Sequence, residues 1–308
     1  MRLHRGLPAI AERPLALTVG NFDGVHRGHQ AMLARLAEAA EDLGLEPAVL
    51  TFDPHPREFF SRDRAPPRLS SLRGKIDVIR RFGVERLVVA RFDGALASLE
   101  PDAFIDDVLV RRLDARWVLV GEDFRFGRAR AGDLALLRRR ARSFSVESMG
   151  TVEIGGERAS SSAVREALAA GDLPRATRLL GRPYTMAGHV AHGDKLGRTL
   201  GFPTANLPLK RTPPITGIFA VRVHGLGPTR RGVASVGVRP TVKAAGRPLL
   251  EVYLFDFDEP IYGRRIAVEF LRKLRDEARY PDLDSLVRQI RVDADQARAY
   301  FDGESAVT

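Results

Sequence analysis

The sequence predicts an α/β domain built on a parallel sheet, followed by a small closed β-barrel and a C-terminal helix. Two observations carry this. Between about residues 15 and 155, short apolar runs alternate with stretches of helical periodicity, the pattern of a parallel sheet covered on both faces. After Gly181 the helical periodicity fades and period-2 alternation takes over, as in small antiparallel barrels. The change of texture sets the boundary between residues 178 and 186, giving expected domains of 1–181 and 182–308.

Leu15–Val19 (LALTV) is the first expected strand, an unbroken apolar run of the kind that is buried on both faces. A helix is expected over 29–43, with Met32, Leu33, Leu36, Ala40 and Leu43 on one face and Gly44 as its stop. Pro47–Phe52 is a short strand ending in the loop Asp53–Pro56 (DPHP). A helix over 73–82 precedes the strand Arg86–Phe92, and a helix after Pro101 precedes the strand Arg116–Val120. That strand ends in Gly121–Gly127 (GEDFRFG), and a helix over 133–142 leads to a fifth strand near 144–152. Residues 159–171 form a further helix. In the second half Ile218–Val223, Arg231–Val238, Leu249–Phe257 and Arg265–Leu271 alternate as strands, and one helix covers 282–300.

Composition narrows the function. With 308 residues and 44% hydrophobic content, each domain can bury a sizeable core. There is no cysteine, so thiolate catalysis, disulfides and Cys-based zinc sites are excluded, and a cytoplasmic location is expected. Neither a secretion signal nor a membrane span is expected, because no apolar run is long enough. The net charge of +10 suits phosphorylated ligands. The arginine clusters (Arg111–Arg112, Arg138–Arg142, Arg230–Arg231) are scattered and lack interleaved aromatics, so no nucleic-acid partner is expected.

The unusual loops all follow strands, where a parallel sheet places its ligands. Residues 15–34 run strand, glycine-bearing turn, helix start. Unpaired backbone N–H groups and the helix dipole converge there on an anion. The turn carries Asn21, Phe22, Asp23 and then H-R-G-H, His26 to His29. A lone H-x-G-H can be a capped polar loop. The buried strand before it, the amphipathic helix after it and the G-N-F-D-G approach favour a phosphate that gains charge during reaction. Ser160, Ser161 and Ser162 with Arg165 open the helix of 159–171; the serines can serve as plain caps or hold polyphosphate with the arginine.

The second domain has a glycine-rich segment, residues 188–207, with Gly193, Lys195, Gly197, Arg198, Pro203, Thr204 and Asn206. It reads either as a long barrel hairpin or as a phosphate loop with hard oxygen ligands for Mg²⁺. Glu251 stands inside the apolar strand LLEVYLFDF. It reads either as part of a solvated strand face or as a base aimed at a substrate.

Taken together, G-N-F-D-G-V-H-R-G-H, F-D-P-H-P, G-E-D-F-R-F-G and S-S-S-A-V-R resemble the first half of the prokaryotic bifunctional riboflavin kinase/FAD synthetases. G-F-P-T-A-N, G-V-A-S-V-G-V-R-P-T, E-V-Y-L-F-D-F and L-R-D-E resemble the second half, so the likeness spans about residues 15 to 301. It implies a Rossmann-like FMN adenylyltransferase domain and a riboflavin-kinase barrel, with riboflavin, FMN and ATP as small-molecule partners and Mg²⁺ as cofactor. Carried over residue by residue, it makes His26, His29 and Glu251 catalytic. It gives phosphate or nucleotide contacts to Asn21, Phe22, Asp23, Arg125, Ser160, Ser161, Ser162 and Arg165. In the kinase it assigns ATP to Gly193, Lys195, Gly197, Arg198, Pro203 and Thr204, Mg²⁺ to Thr204 and Asn206, and the flavin to Arg275 and Glu277. Asp123 stands where the family has asparagine, Ser162 where it has threonine, Ser235 where asparagine is common and Val242 where phenylalanine is common. Two rival expectations are a chain retaining only the kinase, since Asp123 touches the adenylyl site, and an H-x-G-H adenylyltransferase for another phosphate ester.

Overall fold

A computed structural model describes residues 1–193, 201–238 and 248–305. Its contacts divide the chain into two compact units, one of residues 1–66 and 72–160, the other of residues 67–71 and 161–308.

The first unit is a six-stranded parallel sheet: β1 (Arg2–Arg5), β2 (Leu15–Val19), β3 (Glu46–Asp53), β4 (Arg86–Arg91), β5 (Ala115–Gly121) and β6 (Ser145–Met149), in the order β1-β4-β3-β2-β5-β6. The chain steps outward from β2 to β3 and β4, then returns to lay β5 on the other side of β2. The topological switch therefore lies between β2 and β5. Strand alternation sorts the core into two layers. Leu15, Leu17 and Val19 pack on one face with Phe104, Ile105 and Val108. Ala16, Val49 and Leu87 pack on the other with Leu33 and Leu36 of α1 (Arg27–Leu43) and Ile76 and Ile79 of α3 (Leu72–Ile79). Short helix α2 (Pro56–Phe60) follows β3. A helical stretch over 101–112, whose last part, Phe104–Arg112, is wound more loosely with π-type turns, is numbered α4. α5 (Leu134–Arg140) leads to β6, and a two-stranded hairpin, β7 (Glu153–Ile154) and β8 (Glu157–Arg158), closes the unit.

Strand β1 was not expected. RLHR carries no apolar alternation to announce it, yet it pairs in parallel with β4 at the sheet edge. Arg2 reaches Glu46 at 2.6 Å, and Glu46 holds the fully buried Arg86 at 2.8 and 3.0 Å.

The second unit opens with α6 (Ser161–Ala169) and α7 (Leu173–Leu180). A six-stranded antiparallel sheet follows: β9 (Thr185–His189), β10 (Thr204–Pro208), β11 (Gly217–His224), β12 (Arg230–Val238), β13 (Pro248–Leu254) and β14 (Arg265–Arg275), ordered β10-β13-β12-β11-β14-β9. Among the described residues a bridge, Ala191 with Asn206, brings the first and last strands together and nearly closes the barrel. Ala205, Val252, Ala234, Phe219, Val221 and Phe270 line its interior. Outside, α8 (Leu283–Ser305) lays Ala294, Ala297 and Phe301 on Ala220, Val233, Tyr253 and Phe255.

Candidate active sites

At the carboxyl end of β2 the turn of residues 20–26 passes through the left-handed region at Phe22 (φ 47°) and Val25 (φ 42°). Each such non-glycine residue costs about 1–3 kcal/mol. Burial holds both in place, with Phe22 at 1% exposure and Val25 at 0%. The turn ends at His26, whose Nδ1 accepts from the His29 backbone N–H at 3.4 Å and caps α1. A neutral His26 therefore carries its proton on Nε2. The rings of His26 and His29 stack with centroids 3.7 Å apart. Gly28 between them is required by space: a Cβ there would lie 3.1 Å from the Ala159 carbonyl and 3.2 Å from the His26 ring.

Burial, then the neighbouring His26, then Lys75 hold the His29 pKa well below the ordinary imidazole value. Its Nδ1 is buried and has no hydrogen-bond partner among the described residues, and the same holds for Asn21 Oδ1. Asp23 is buried in the same turn. The site thus presents neutral histidine, a helix N-terminus and unclaimed polar atoms. That chemistry suits a phosphate ester whose charge grows in the transition state.

Continuing the β2–β5 register by two residues sets Gly20 beside Gly121, where the G-E-D-F-R-F-G loop begins. Asp123 accepts from Arg158 Nη2 at 2.6 Å, so the carboxylate that replaces the family's asparagine meets a cation directly. Arg125 is half-exposed, with its guanidinium 3.7 Å from Asp133. Ser160 ends the first unit. Ser161 and Ser162 form the first turn of α6 in the second unit. There Arg165 donates to the carbonyls of Pro67 (2.7 Å) and Ser161 (3.1 Å).

In the barrel, Thr204 and Asn206 lie on β10, a strand that the glycine- and proline-rich segment concealed. Asn206 is the register partner of Glu251 on β13, and Glu251 faces Ser235 on β12 from the other side. Because Ala205, Val252 and Ala234 point into the barrel, the row Asn206–Glu251–Ser235 lies on its outer face. Asn206 is only 7% exposed, and its Oδ1 has no hydrogen-bond partner among the described residues. A Cβ on Gly193 would stand 2.5 Å from Asn206 Nδ2. Pro203 leads into β10, and the ring of Phe202 packs edge-on against Tyr253 at 5.2 Å. Lys195, Gly197 and Arg198, expected to contact ATP, lie outside the described residues.

Glu277 joins this row. Its carboxylate occupies the space that a side chain on Gly237 of β12 would need. Burial raises its pKa, the Arg275 charge opposes this, and the Glu251 charge raises it further. Arg275, expected with Glu277 at the flavin, grips Asp293 of α8 through two hydrogen bonds of 2.8 and 2.7 Å, and Gln289 adds a third to the same carboxylate.

Sequence reasoning missed Lys75. It is 7% exposed and reaches the Asn21 carbonyl and Thr51. The signal was there: a lysine on the stripe of α3 that otherwise buries Ile76 and Ile79.

Two family models match. A model described as FAD synthetase covers residues 9–163, and one described as riboflavin kinase covers residues 180–301. The bifunctional riboflavin kinase/FMN adenylyltransferase of Escherichia coli (strain K12) is 46% identical over 308 aligned residues, covering 98% of each chain. The chain belongs to the bifunctional riboflavin kinase/FMN adenylyltransferase family. The Bacillus subtilis (strain 168) member is 38% identical over 92% of each chain. Among solved structures, that of a macrolide-efflux protein from Streptococcus pneumoniae matches with a TM-score of 0.81 at 29% identity, covering 96% of this chain and 98% of that one. In this chain no described helix is long and apolar enough to cross a membrane. The FAD synthetase match contains the histidine turn, and the riboflavin kinase match contains the Asn206–Glu251–Ser235 row.

Proposed function

We propose that the barrel transfers the γ-phosphoryl group of ATP to the 5′-hydroxyl of riboflavin, and that the sheet domain then joins FMN to the AMP portion of a second ATP. The observation that carries this is that, among the buried polar atoms without a hydrogen-bond partner in the described residues, His29 Nδ1 falls in the histidine turn of one family match and Asn206 Oδ1 in the Asn206–Glu251–Ser235 row of the other. Buried polar atoms without partners are costly unless a ligand satisfies them. We set the boundary between the two activities at 181/182, where Gly181 caps α7 in the left-handed conformation.

In the kinase reaction Glu251 takes the proton of the riboflavin hydroxyl as its oxygen bonds to the γ-phosphorus, while the bond to the departing ADP oxygen breaks. Thr204 and Asn206 would offer oxygens to Mg²⁺, a hard cation that would take its remaining ligands from water and nucleotide phosphates. The fit rests on the unclaimed Asn206 Oδ1. Bound there, Mg²⁺ would offset phosphate charge. Gly193, Lys195, Gly197, Arg198, Pro203 and Thr204 take the roles in ATP binding that the resemblance implies, and Arg275 and Glu277 those in flavin binding.

In adenylyl transfer a phosphate oxygen of FMN attacks the α-phosphorus of ATP and pyrophosphate leaves. The nucleophile is already ionised, so no base is needed, and catalysis is positioning and charge stabilisation. His26, His29 and the α1 N-terminus act on the phosphates; Asn21, Phe22 and Asp23 shape the turn. Arg125, Ser160, Ser161, Ser162 and Arg165 complete the nucleotide contacts. A cysteine-free chain suits a reducing cytoplasm, where we place both reactions. Incubating purified protein with riboflavin, ATP and Mg²⁺ and separating the flavins tests the reading: FMN and then FAD are expected, and riboflavin left unchanged refutes it.

A further inference from the structure

A lysine is almost never fully buried without partners that hold its charge. Lys75 is 7% exposed, on the face of α3 that packs against the sheet. Its ammonium donates to the carbonyl of Asn21 and to Thr51 Oγ1 at 3.3 Å. Thr51 Oγ1 in turn donates to the same Asn21 carbonyl at 3.2 Å. Asn21 opens the turn that delivers His26 and His29, so three elements (β3, α3 and the turn after β2) are tied at one carbonyl. We propose that Lys75 is a positioning residue for FMN adenylyl transfer: it pins the Asn21 carbonyl, fixes the turn from Asn21 to His29, and brings its ammonium to the side of the turn that carries the His29 ring. This rests on the reading of the first domain as the adenylyltransferase.

The two effects separate chemically. Pinning the carbonyl sets where the histidines stand, and small displacements of catalytic groups can cost on the order of 10²-fold in rate. The charge acts on the ionisation of His29. The groups that press on that ring are His26, stacked on it, and Lys75, while burial contributes most. Asp23 is the acidic residue buried in the same turn. A neutral ring donates one N–H to a phosphate oxygen and keeps one lone pair that can accept from an N–H or O–H, whereas an imidazolium has none to accept with.

The test compares wild type, K75M and K75Q. FAD formation from FMN and ATP is followed over roughly pH 5–8, and the fluorescence of Trp117, the single tryptophan and a residue of the same unit as Lys75, serves as the control for folding. In K75M the kcat for FAD is expected to fall on the order of 10²-fold, and the acidic limb of the profile to move to higher pH, because His29 regains its charge more easily. K75Q keeps a donor for the Asn21 carbonyl and lacks the charge. It is expected to lose less in kcat and to show the same upward move of the limb. If the Trp117 signal shows K75M misfolded, K75Q decides the matter. An acidic limb in K75Q that coincides with wild type overturns the proposal, whatever the rate. A wild type that forms no FAD removes the adenylyltransferase reading and Lys75's role together, whereas equal FAD formation by all three proteins removes only the role of Lys75.

Discussion

Asn206 and Glu251 are register partners on adjacent antiparallel strands, β10 and β13. A candidate metal ligand and a candidate base therefore stand directly opposite each other on one face of a barrel, at the spacing of cross-strand neighbours. Gly193 covers the Asn206 amide with no room for a methyl group.

That crowding gives the first prediction. Gly193→Ala should push Asn206 aside and raise the KM for ATP in FMN formation roughly tenfold, which corresponds to about 1.4 kcal/mol. FAD formation from supplied FMN should not change. Steady-state kinetics of the two reactions check this, and an unaltered KM for ATP would show that the Asn206 amide has no part in binding.

His29→Ala removes a neutral donor from the α1 N-terminus. FAD formation should fall about 10²–10³-fold, the usual effect of deleting one charge-stabilising donor. FMN formation should stay as it is. Unchanged FAD synthesis by a folded variant would take His29 out of the mechanism.

Much of this arrangement was legible in the sequence. β2 to β5 announce themselves because both faces are buried, which forces continuous apolar runs. The histidine turn is legible because a phosphate site on a helix N-terminus needs glycine and short polar residues in a fixed order. β1 was hidden because a four-residue edge strand, RLHR, with one exposed leucine among basic residues has no apolar alternation to show. β10 was hidden inside G-F-P-T-A-N, where glycine and proline read as loop. The Arg275–Asp293 pair could not be read locally: Asp293 lies 18 residues away on a helix, and no spacing rule links the two. Lys75 was overlooked because a lysine on an apolar stripe passes for an ordinary helix residue until its burial is seen.

The Arg275–Asp293 pair leads to a stability prediction. The Asp293 side chain is 4% exposed, while that of Arg275 is 22% exposed. Arg275→Ala leaves a buried carboxylate without its guanidinium. We expect a loss of about 3 kcal/mol, the low end for breaking a buried pair because the arginine keeps some access to water. Limited proteolysis should find α8 cleaved sooner, and calorimetry should find a lower Tm for the barrel transition. An unchanged transition would show that α8 is held by its apolar face alone.

Glu46 gives a pH dependence. Burial pushes its carboxyl up, but the Arg86 and Arg2 guanidiniums more than reverse this, and the pKa in the folded protein lies below the ordinary carboxylate value. Its contribution is therefore fully present above the unfolded pKa of about 4.3. It is lost as pH falls from there through the lower folded value. Glu46→Gln should cost about 3–5 kcal/mol at neutral pH, because Arg86 stays buried, and should flatten the acid dependence in that window. The single tryptophan, Trp117 on β5, reports the first unit alone, so urea unfolding followed by its fluorescence checks both effects. An acid dependence as steep as that of wild type would contradict the assignment.

The central claim is that two chemically independent phosphate sites act in sequence on one flavin. The most direct measurement is flavin chromatography of Glu251→Gln, incubated with ATP and Mg²⁺ and with either riboflavin or FMN. The account predicts no FMN from riboflavin and an undiminished yield of FAD from FMN. A folded variant that phosphorylates riboflavin at the wild-type rate, or that loses both activities, would contradict it.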